Sequence, residues 1–396
     1  MKILVVSSFL PFPLHSGGHV RLYNLILRLL EHHEITLVCE KRENQRREDV
    51  EEVSKICKKV YTFERSNQWS LGNILKTGFS LDPFLIVGHK NKEMKNKITE
   101  ILSNEKFDLL HVETSYAYQN LPDNIKIPVV LVEHNVEYMV YRRFTTNAPF
   151  VLRPLLYLDT IKLEKAEKSF WKKATKLVAV SEEERKVMGK DTQIVPNGVD
   201  TKKFKIDNSQ FTKTEKEERV LFIGDFKWMQ NRDSAEWILK DIWPLVNSKL
   251  SIVNSQLKLW IVGRKIPDYI KKLGNENIIF DENSPADTYE IYKASKLLLA
   301  PIRIGGGTSF KILESMASGV PVVTTNLGNE GINAVSGQSI VIAKTDDEFA
   351  KAVVNLLKDK NLYEEISRNA RLLIEKNFDW DIIVAKLEKV YKAALL

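Results

Sequence analysis

Cysteine is nearly absent: Cys39 and Cys57 are the only two in 396 residues, and they form no metal-ligand spacing. That excludes a disulfide framework and a cysteine-rich zinc module, and it favours a reducing, cytoplasmic setting. Long hydrophobic runs are missing as well. No stretch approaches the roughly 18 consecutive apolar residues of a membrane-spanning helix, so any membrane contact is expected to be peripheral. The opening MKILVVSSFLPFP is apolar but short, is interrupted by Pro11 and Pro13, and leads to no small-residue cleavage site. It reads as a buried first strand rather than a signal peptide. A basic tail is lacking too, because the net charge of +7 is spread evenly: 30 Lys/Arg against 26 Asp/Glu in residues 1–200, leaving 29 against 26 in the rest. No nucleic-acid partner is expected. The pI of about 9.0 favours acidic ligands or an anionic membrane surface.

What is present is an ordinary globular composition, 43% hydrophobic and 28% charged, at a length that suggests two domains. Apolar, β-branched runs recur at Ile3–Val6, Ile35–Val38, Leu109–Val112, Val129–Val132 and Leu177–Val180, with helical patterns between most of them. The second half repeats the plan at Val220–Ile223, Leu257–Val262, Leu297–Ala300 and Val320–Val323. Strands alternating with helices predict parallel sheets, here two doubly wound ones. Between them, Asp200 to Glu218 is polar, charged and aperiodic, as a linker is. The expected plan is therefore a domain over 1–199, a linker over 200–218, a domain over 219–378 and a last helix over 379–396 that packs on either domain. Helical patterns close the chain at Asp346–Leu357, Leu362–Glu375 and Asp379–Ala393.

The most informative segment is Ile304 to Pro321, IGGGTSFKILESMASGVP, which reads as glycine loop, helix and strand entry. Gly305, Gly306, Gly307 and Thr308 allow a ligand close to the backbone and leave unpaired N–H groups at a helix start, a cradle for phosphate. On the helix, Ile312, Leu313, Met316 and Ala317 form an apolar stripe, with Lys311, Glu314, Ser315 and Ser318 on the other side. Lys311 and Glu314 are three apart, offering a cation for phosphate and an acceptor for sugar hydroxyls. The alternative is a plain glycine-rich turn with a solvated ion pair. The segment is neither a P-loop nor a dinucleotide fingerprint.

A second glycine turn, His15-Ser16-Gly17-Gly18-His19, precedes a helix with Arg21 in its first turn; it either binds phosphate or reverses the chain tightly. A cation there opposes the helix dipole and asks for a nearby anion. His134 follows the strand Val129–Val132, where such sheets place their chemistry, flanked by Glu133 and Glu137. His32 and His33 have no carboxylate at ligand spacing and read as surface residues. From Phe150 to Lys176, Phe170 and Trp171 lie among seven Lys/Arg residues, which suits either an anionic bilayer or a solvated helix face.

Four stretches then carry a family resemblance: SSFLPFPLHSGGHVR, VEHNVE, AVSEEER leading to IVPNGVD, and APIRIGGGTSFKILESMASGVPVV. Over nearly its whole length the chain resembles the retaining GT-B glycosyltransferases of glycosyltransferase family 4. The resemblance implies two Rossmann-like domains facing across a cleft, with a nucleotide-sugar donor held mainly by the C-terminal one. It implies that the amides of Gly305, Gly306, Gly307 and Thr308, with Lys311, hold the diphosphate and that Glu314 accepts from ribose hydroxyls. Gly17 and Gly18 would lie across from that diphosphate, His134 near the donor sugar, and Arg303 within reach of leaving-group or sugar oxygens. The implied reaction retains anomeric configuration, with the departing diphosphate helping to deprotonate the acceptor, and needs neither cofactor nor metal. The implied acceptors are carbohydrate, lipid-linked or small molecules, met in the cytoplasm or at the inner face of the membrane. Two departures stand out. Many members carry two glutamates of which Glu314 is the second, yet the first position here is Gly306; and many place Arg and Lys after the first strand of the C-terminal domain, whereas this chain reads Gly224-Asp225-Phe226-Lys227 and then Gln230-Asn231, with Lys227 a substitute in a different register. A catalytically inactive sugar-nucleotide-binding partner and a sugar-nucleotide epimerase or phosphorylase of the same architecture are the rival expectations.

Overall fold

The structure is a computed structural model that describes residues 1–205, 218–250, 257–283, 285 and 287–396, the side chain of Asn147 excepted. Most of the expected linker, 206–217, lies outside the described residues. Two compact units result: Met1–Pro196 together with Ile383–Leu396, and Asn197–Ile382.

The first unit is built on seven strands: β1 (Lys2–Ser7), β2 (Glu34–Lys41), β3 (Lys59–Glu64), β4 (Leu109–Glu113), β5 (Val129–Val132), β6 (Lys176–Ala179) and β7 (Gln193–Ile194). Every pairing is parallel, in the order β3-β2-β1-β4-β5-β6-β7. The central strands are buried on both faces, which is why KILVVS and VVLV read as unbroken apolar runs. The second unit has β8 (Arg219–Ile223), β9 (Lys258–Val262), β10 (Ile278–Asp281), β11 (Leu297–Ala300), β12 (Val322–Thr324) and β13 (Val341–Ile342). Its order is β10-β9-β8-β11-β12-β13, again parallel throughout. The two doubly wound parallel sheets are the expected GT-B architecture.

Four strands went unrecognised in the sequence: β3, β7, β10 and β13. They lie at the sheet edges and are only partly buried; KVYTFE mixes apolar with polar residues, and IIFD carries a run of only three apolar ones. The three closing helices form as Asp346–Lys358, Lys360–Asn377 and Trp380–Ala394. Thr345 and Asp359 cap the first two, their side-chain oxygens accepting from the amides of Glu348 and Leu362.

In each unit the strand order reverses once, between β1 and β4 and between β8 and β11. Crevices beyond the carboxyl ends of strands at such reversals are where open α/β sheets bind ligands. In this chain those crevices lie at the ends of β1, β4 and β5 in one unit and of β8, β11 and β12 in the other.

Candidate functional site

In the second unit, the loop leaving β11 carries the three glycines. Gly305 has φ +129° and Gly307 φ +73°, conformations that a residue with a Cβ rarely adopts. Among the described residues, the amides of Gly306, Gly307 and Thr308 donate to no backbone carbonyl. The loop is not packed shut: a Cβ on Gly305 would meet nothing within 4 Å, and one on Gly306 only Oε2 of Glu330, at 4.0 Å. Asn197, from the IVPNGVD stretch, fixes the end of the loop by donating from Nδ2 to the Thr308 carbonyl at 3.0 Å.

The helix that follows, Phe310–Ala317, buries Ile312, Leu313, Met316 and Ala317 as its periodicity requires. Gly319, at φ +68°, ends it. Ser315 and Ser318 differ from expectation, being buried rather than on the wet side. Ser315 Oγ donates to the Val320 carbonyl at 2.9 Å, which ties the helix to the turn entering β12.

Lys311 Nζ donates to Asn231 Oδ1 at 2.8 Å and stands 4.9 Å from the Phe222 ring centroid. Asn231 is held in turn by its Nδ2 bond to the Asp225 carbonyl, 2.8 Å, and fits only because residue 224 is glycine: a Cβ there would lie 2.6 Å from the amide carbon. Burial lowers the Lys311 ammonium to about 8, against a smaller raising effect of Glu314. Glu314 accepts from Thr288 Oγ1 at 2.9 Å, and burial raises its carboxyl to about 7. Lys227 is exposed at the end of β8, its Nζ 5.8 Å from the Trp228 ring centroid. Arg303 is engaged elsewhere: its guanidinium holds Asp233 with bonds of 2.9 and 3.1 Å and lies 4.3 Å from the Trp237 ring. Those residues line an open hollow of about 490 Å³ with Met229, Arg232, Tyr269 and Ile304, the residue before the glycine loop. The D-x-D triplet Asp379-Trp380-Asp381 opens the last helix with both carboxylates engaged, Asp379 by the Thr201 amide at 3.2 Å and Asp381 by Lys202 at 3.1 Å.

In the first unit, His134 leaves β5 beside the helix Gly17–Leu29. A Cβ on Gly18 would lie 3.3 Å from His134 Cε1 and Nδ1, so this glycine lets the helix start approach the ring. The carboxylate that orients His134 is Glu113, at the end of β4: Oε1 is 2.5 Å from His134 Nε2, and Oε2 is 2.6 Å from His111 Nε2. Sequence reasoning missed Glu113. Burial alone would raise its pKa, but the charge of His134 and the hydrogen bonds from both imidazoles hold it far below the usual carboxylate range. An ionised carboxylate only accepts, so both Nε2 atoms carry their hydrogens, and His111 Nδ1 pairs with the Tyr391 hydroxyl at 2.6 Å.

Arg21 finds its anion inside the protein rather than in a ligand. It is fully buried, donates to the carbonyls of Val195 and Pro196 at 2.8 Å each, and lies 3.8 Å from Glu113. Glu133 is buried and Glu137 half-buried, and burial raises the pKa of both; Glu133 accepts from the Trp171 indole at 2.9 Å and from the Ser115 amide at 3.1 Å. His19 is pushed down to about 4 by burial and neighbouring cations and is therefore neutral. His33 is not a surface residue: its ring is buried with Nε2 2.8 Å from Glu388, a partner 355 positions away. Trp171 is likewise core, and Phe170 stacks on Tyr118 at 5.0 Å, so neither faces a membrane.

Two doubly wound parallel sheets, one of them with a glycine loop and a lysine at its reversal point, are the architecture of the GT-B class. The description Glycosyltransferase Family 4 matches residues 15–203, and Glycosyl transferases group 1 matches 217–359. The chain belongs to glycosyltransferase family 4 and is a GT-B glycosyltransferase. It is 26% identical over 391 residues to an uncharacterised 44.6 kDa protein in the cps region of Klebsiella pneumoniae, covering 96% of each chain. Among solved structures it is similar to sucrose-phosphate synthase from Thermosynechococcus elongatus, with a TM-score of 0.72, 15% identity and 99% of both chains covered. It is also similar to Anabaena HepE in complex with UDP and glucose, with a TM-score of 0.64, 16% identity, and 99% of this chain and 100% of that one covered.

Proposed function

We propose that the protein transfers a hexose from a nucleoside diphosphate sugar to an acceptor hydroxyl with retention of anomeric configuration and without a metal or other cofactor. The observation that carries this is the set of unpaired amides at Gly306, Gly307 and Thr308 beside Lys311, all at the reversal point of the second unit. Donors aimed at a leaving diphosphate stabilise the charge that develops as the glycosidic bond breaks. Glu314 is the acceptor for ribose hydroxyls and His134, steered by Glu113, the group that acts at the donor sugar. Arg303, tied to Asp233, contributes only where ligand binding releases it. The test is incubation of the full chain with UDP-, GDP- and ADP-hexoses and a panel of acceptors, with EDTA present, followed by NMR of the product anomer. Transfer with an inverted anomer, or none with any donor, defeats the proposal. Product formed without acceptor points to an epimerase, and tight nucleotide binding without turnover to an inactive homologue. UDP-glucose is the first donor to try, given the ligands of HepE.

The acceptor side of the proposal is a lipid-linked or polysaccharide hydroxyl at an anionic membrane face. No helix among the described residues is long and apolar enough to cross a bilayer. Its support is an exposed apolar surface on the first unit. Trp69, Phe79 and Leu81 flank or end the helix Leu71–Phe79, with exposures of 75, 91 and 91%, and Phe150 and Val151 follow at 82 and 84%. The helix that follows Phe150 and Val151, Arg153–Lys173, meets the first segment at Lys162, whose Nζ donates to the carbonyls of Thr77 and Ser80. No acidic residue occurs from Trp69 to Leu81, and Arg142, Arg143, Arg153 and Lys162 border the second segment. Vesicles with anionic lipid are expected to co-sediment the protein at low salt, and Phe79→Ser with Phe150→Ser to abolish it; equal sedimentation of the double variant removes the membrane face.

A further inference from the structure

The glycine loop has a neighbour that its own sequence does not reveal. After β12 the chain turns back through Thr325 to Ala334, and this turn is tightly built. Thr325 Oγ1 bonds the Ile302 carbonyl and accepts from the Gly328 amide at 3.1 Å. Asn329 closes it at both ends of its side chain, donating to the Ala334 carbonyl at 2.9 Å and accepting from the Ala334 amide at 3.0 Å. Gly331 has φ +75°, and a Cβ there would lie 2.8 Å from Thr308 Oγ1, so the turn sits directly against the last residue of the phosphate cradle. The outcome is that Oε2 of Glu330 comes to 4.0 Å from the position a Cβ of Gly306 would take. Thr308 Oγ1, in a residue only 4% exposed, has no hydrogen-bond partner and faces the same turn.

A carboxylate at the edge of an anion cradle is electrostatically costly for bare phosphate, because like charges repel in a partly desolvated site. The same group accepts strongly from hydroxyls. The combination suits a ligand that presents phosphate oxygens to the amides and Lys311, and hydroxyl groups immediately beyond them.

We propose that Glu330 is the residue that recognises the sugar of the donor, accepting hydrogen bonds from hexose hydroxyls in the space left open by Gly306. This rests on the nucleotide-sugar reading above and adds to it a specificity-determining residue from another segment, the β12 turn. Thr308 Oγ1 is the second polar group of this subsite, with a free hydroxyl to donate to the same sugar or its phosphate.

The test is calorimetric titration of the full chain and its Glu330→Gln and Glu330→Ala variants with UDP against UDP-glucose and with GDP against GDP-mannose. For whichever pair the parent protein binds, both variants should hold the free nucleoside diphosphate within about twofold of the parent, or more tightly, while affinity for the nucleotide-hexose drops about tenfold or more, the scale of a hydrogen bond to a charged group. The nucleoside diphosphate arm reports that the loop is intact in each variant. An unchanged nucleotide-hexose affinity overturns the assignment of Glu330 and leaves the nucleotide-sugar reading standing, and so does an equal loss for both ligands. Failure of the parent to bind any of the four ligands overturns that reading and this one with it.

Discussion

Replacing Lys311 with alanine is expected to lower sugar-transfer turnover by about 10² to 10³, the range observed when one aimed donor is removed from a developing anion. Lys311 is not a mobile surface cation. Asn231 fixes its ammonium at 2.8 Å, Asn231 is itself fixed by the Asp225 carbonyl, and the side chain passes over the Phe222 ring. The charge is thus held in place before the ligand arrives, and little reorganisation is left for the reaction to perform. Its partly dry position lowers its pKa to about 8, which makes the same interaction titratable near neutrality. A diphosphate binds the protonated form. Affinity for a nucleoside diphosphate should therefore fall as pH rises above about 8, approaching tenfold per pH unit until the higher pKa of the complex is reached. Glu314 titrates at about 7, so measurements between pH 8 and 10 isolate the lysine. In Lys311→Ala the slope over that window should vanish. Wild-type turnover in the variant, or an unaltered slope, contradicts the role given to Lys311.

The glycine loop was legible from sequence because everything it does is local: positive-φ glycines, a helix start and a periodic apolar face all fall within about twenty residues. The central strands were legible for the same reason, since burial on both faces writes a continuous apolar run. What escaped depends on pairings that only the sheet creates. Glu113 meets His134 because β4 and β5 are in register, Glu113 opposite Val132, and no motif marks that encounter. The acidic neighbours Glu133 and Glu137 looked the better partners by proximity along the chain, but the strand end turns Glu133 into the interior and Glu137 opens the next helix. His33 found Glu388 across 355 positions, and Arg21 found the carbonyls of Val195 and Pro196 by a crossing of similar reach. Ser315 shows the limit of a helical wheel: polarity suggested solvent, whereas its hydroxyl closes a buried turn. Phe170 and Trp171, which suited either a bilayer or a solvated helix face, pack inward instead, because aromatic residues among lysines look alike whatever they face.

If His134 has the role proposed for it, Glu113 and His134 should differ on mutation, because Glu113 then acts only through the ring it orients. His134→Ala removes a ring that is 18% exposed, so turnover is expected to fall by about 10² or more, with a loss in urea midpoint smaller than that of Glu113→Gln because the buried carboxylate keeps His111 and Arg21. Glu113→Gln acts differently. The carboxylate is fully buried and balances the buried Arg21 guanidinium at 3.8 Å as well as two imidazoles, so its neutralisation leaves a buried cation without its counter-charge. Such losses cost about 3–5 kcal/mol, and a shift of that size should appear in urea unfolding at pH 7. The pH dependence supplies the sign. Because the folded pKa of Glu113 is depressed, its stabilisation is complete above the unfolded carboxyl value of about 4.3 and is lost as pH falls toward the folded value. The parent protein should therefore lose stability more steeply than the glutamine variant as pH is lowered below about 4. Turnover in Glu113→Gln should drop as well, since the amide presents a donor as well as an acceptor and no longer fixes the Nε2–H tautomer of His134. Equal acid sensitivity of the two proteins, or full turnover in the variant, would separate Glu113 from His134 and leave the histidine without its orienting group.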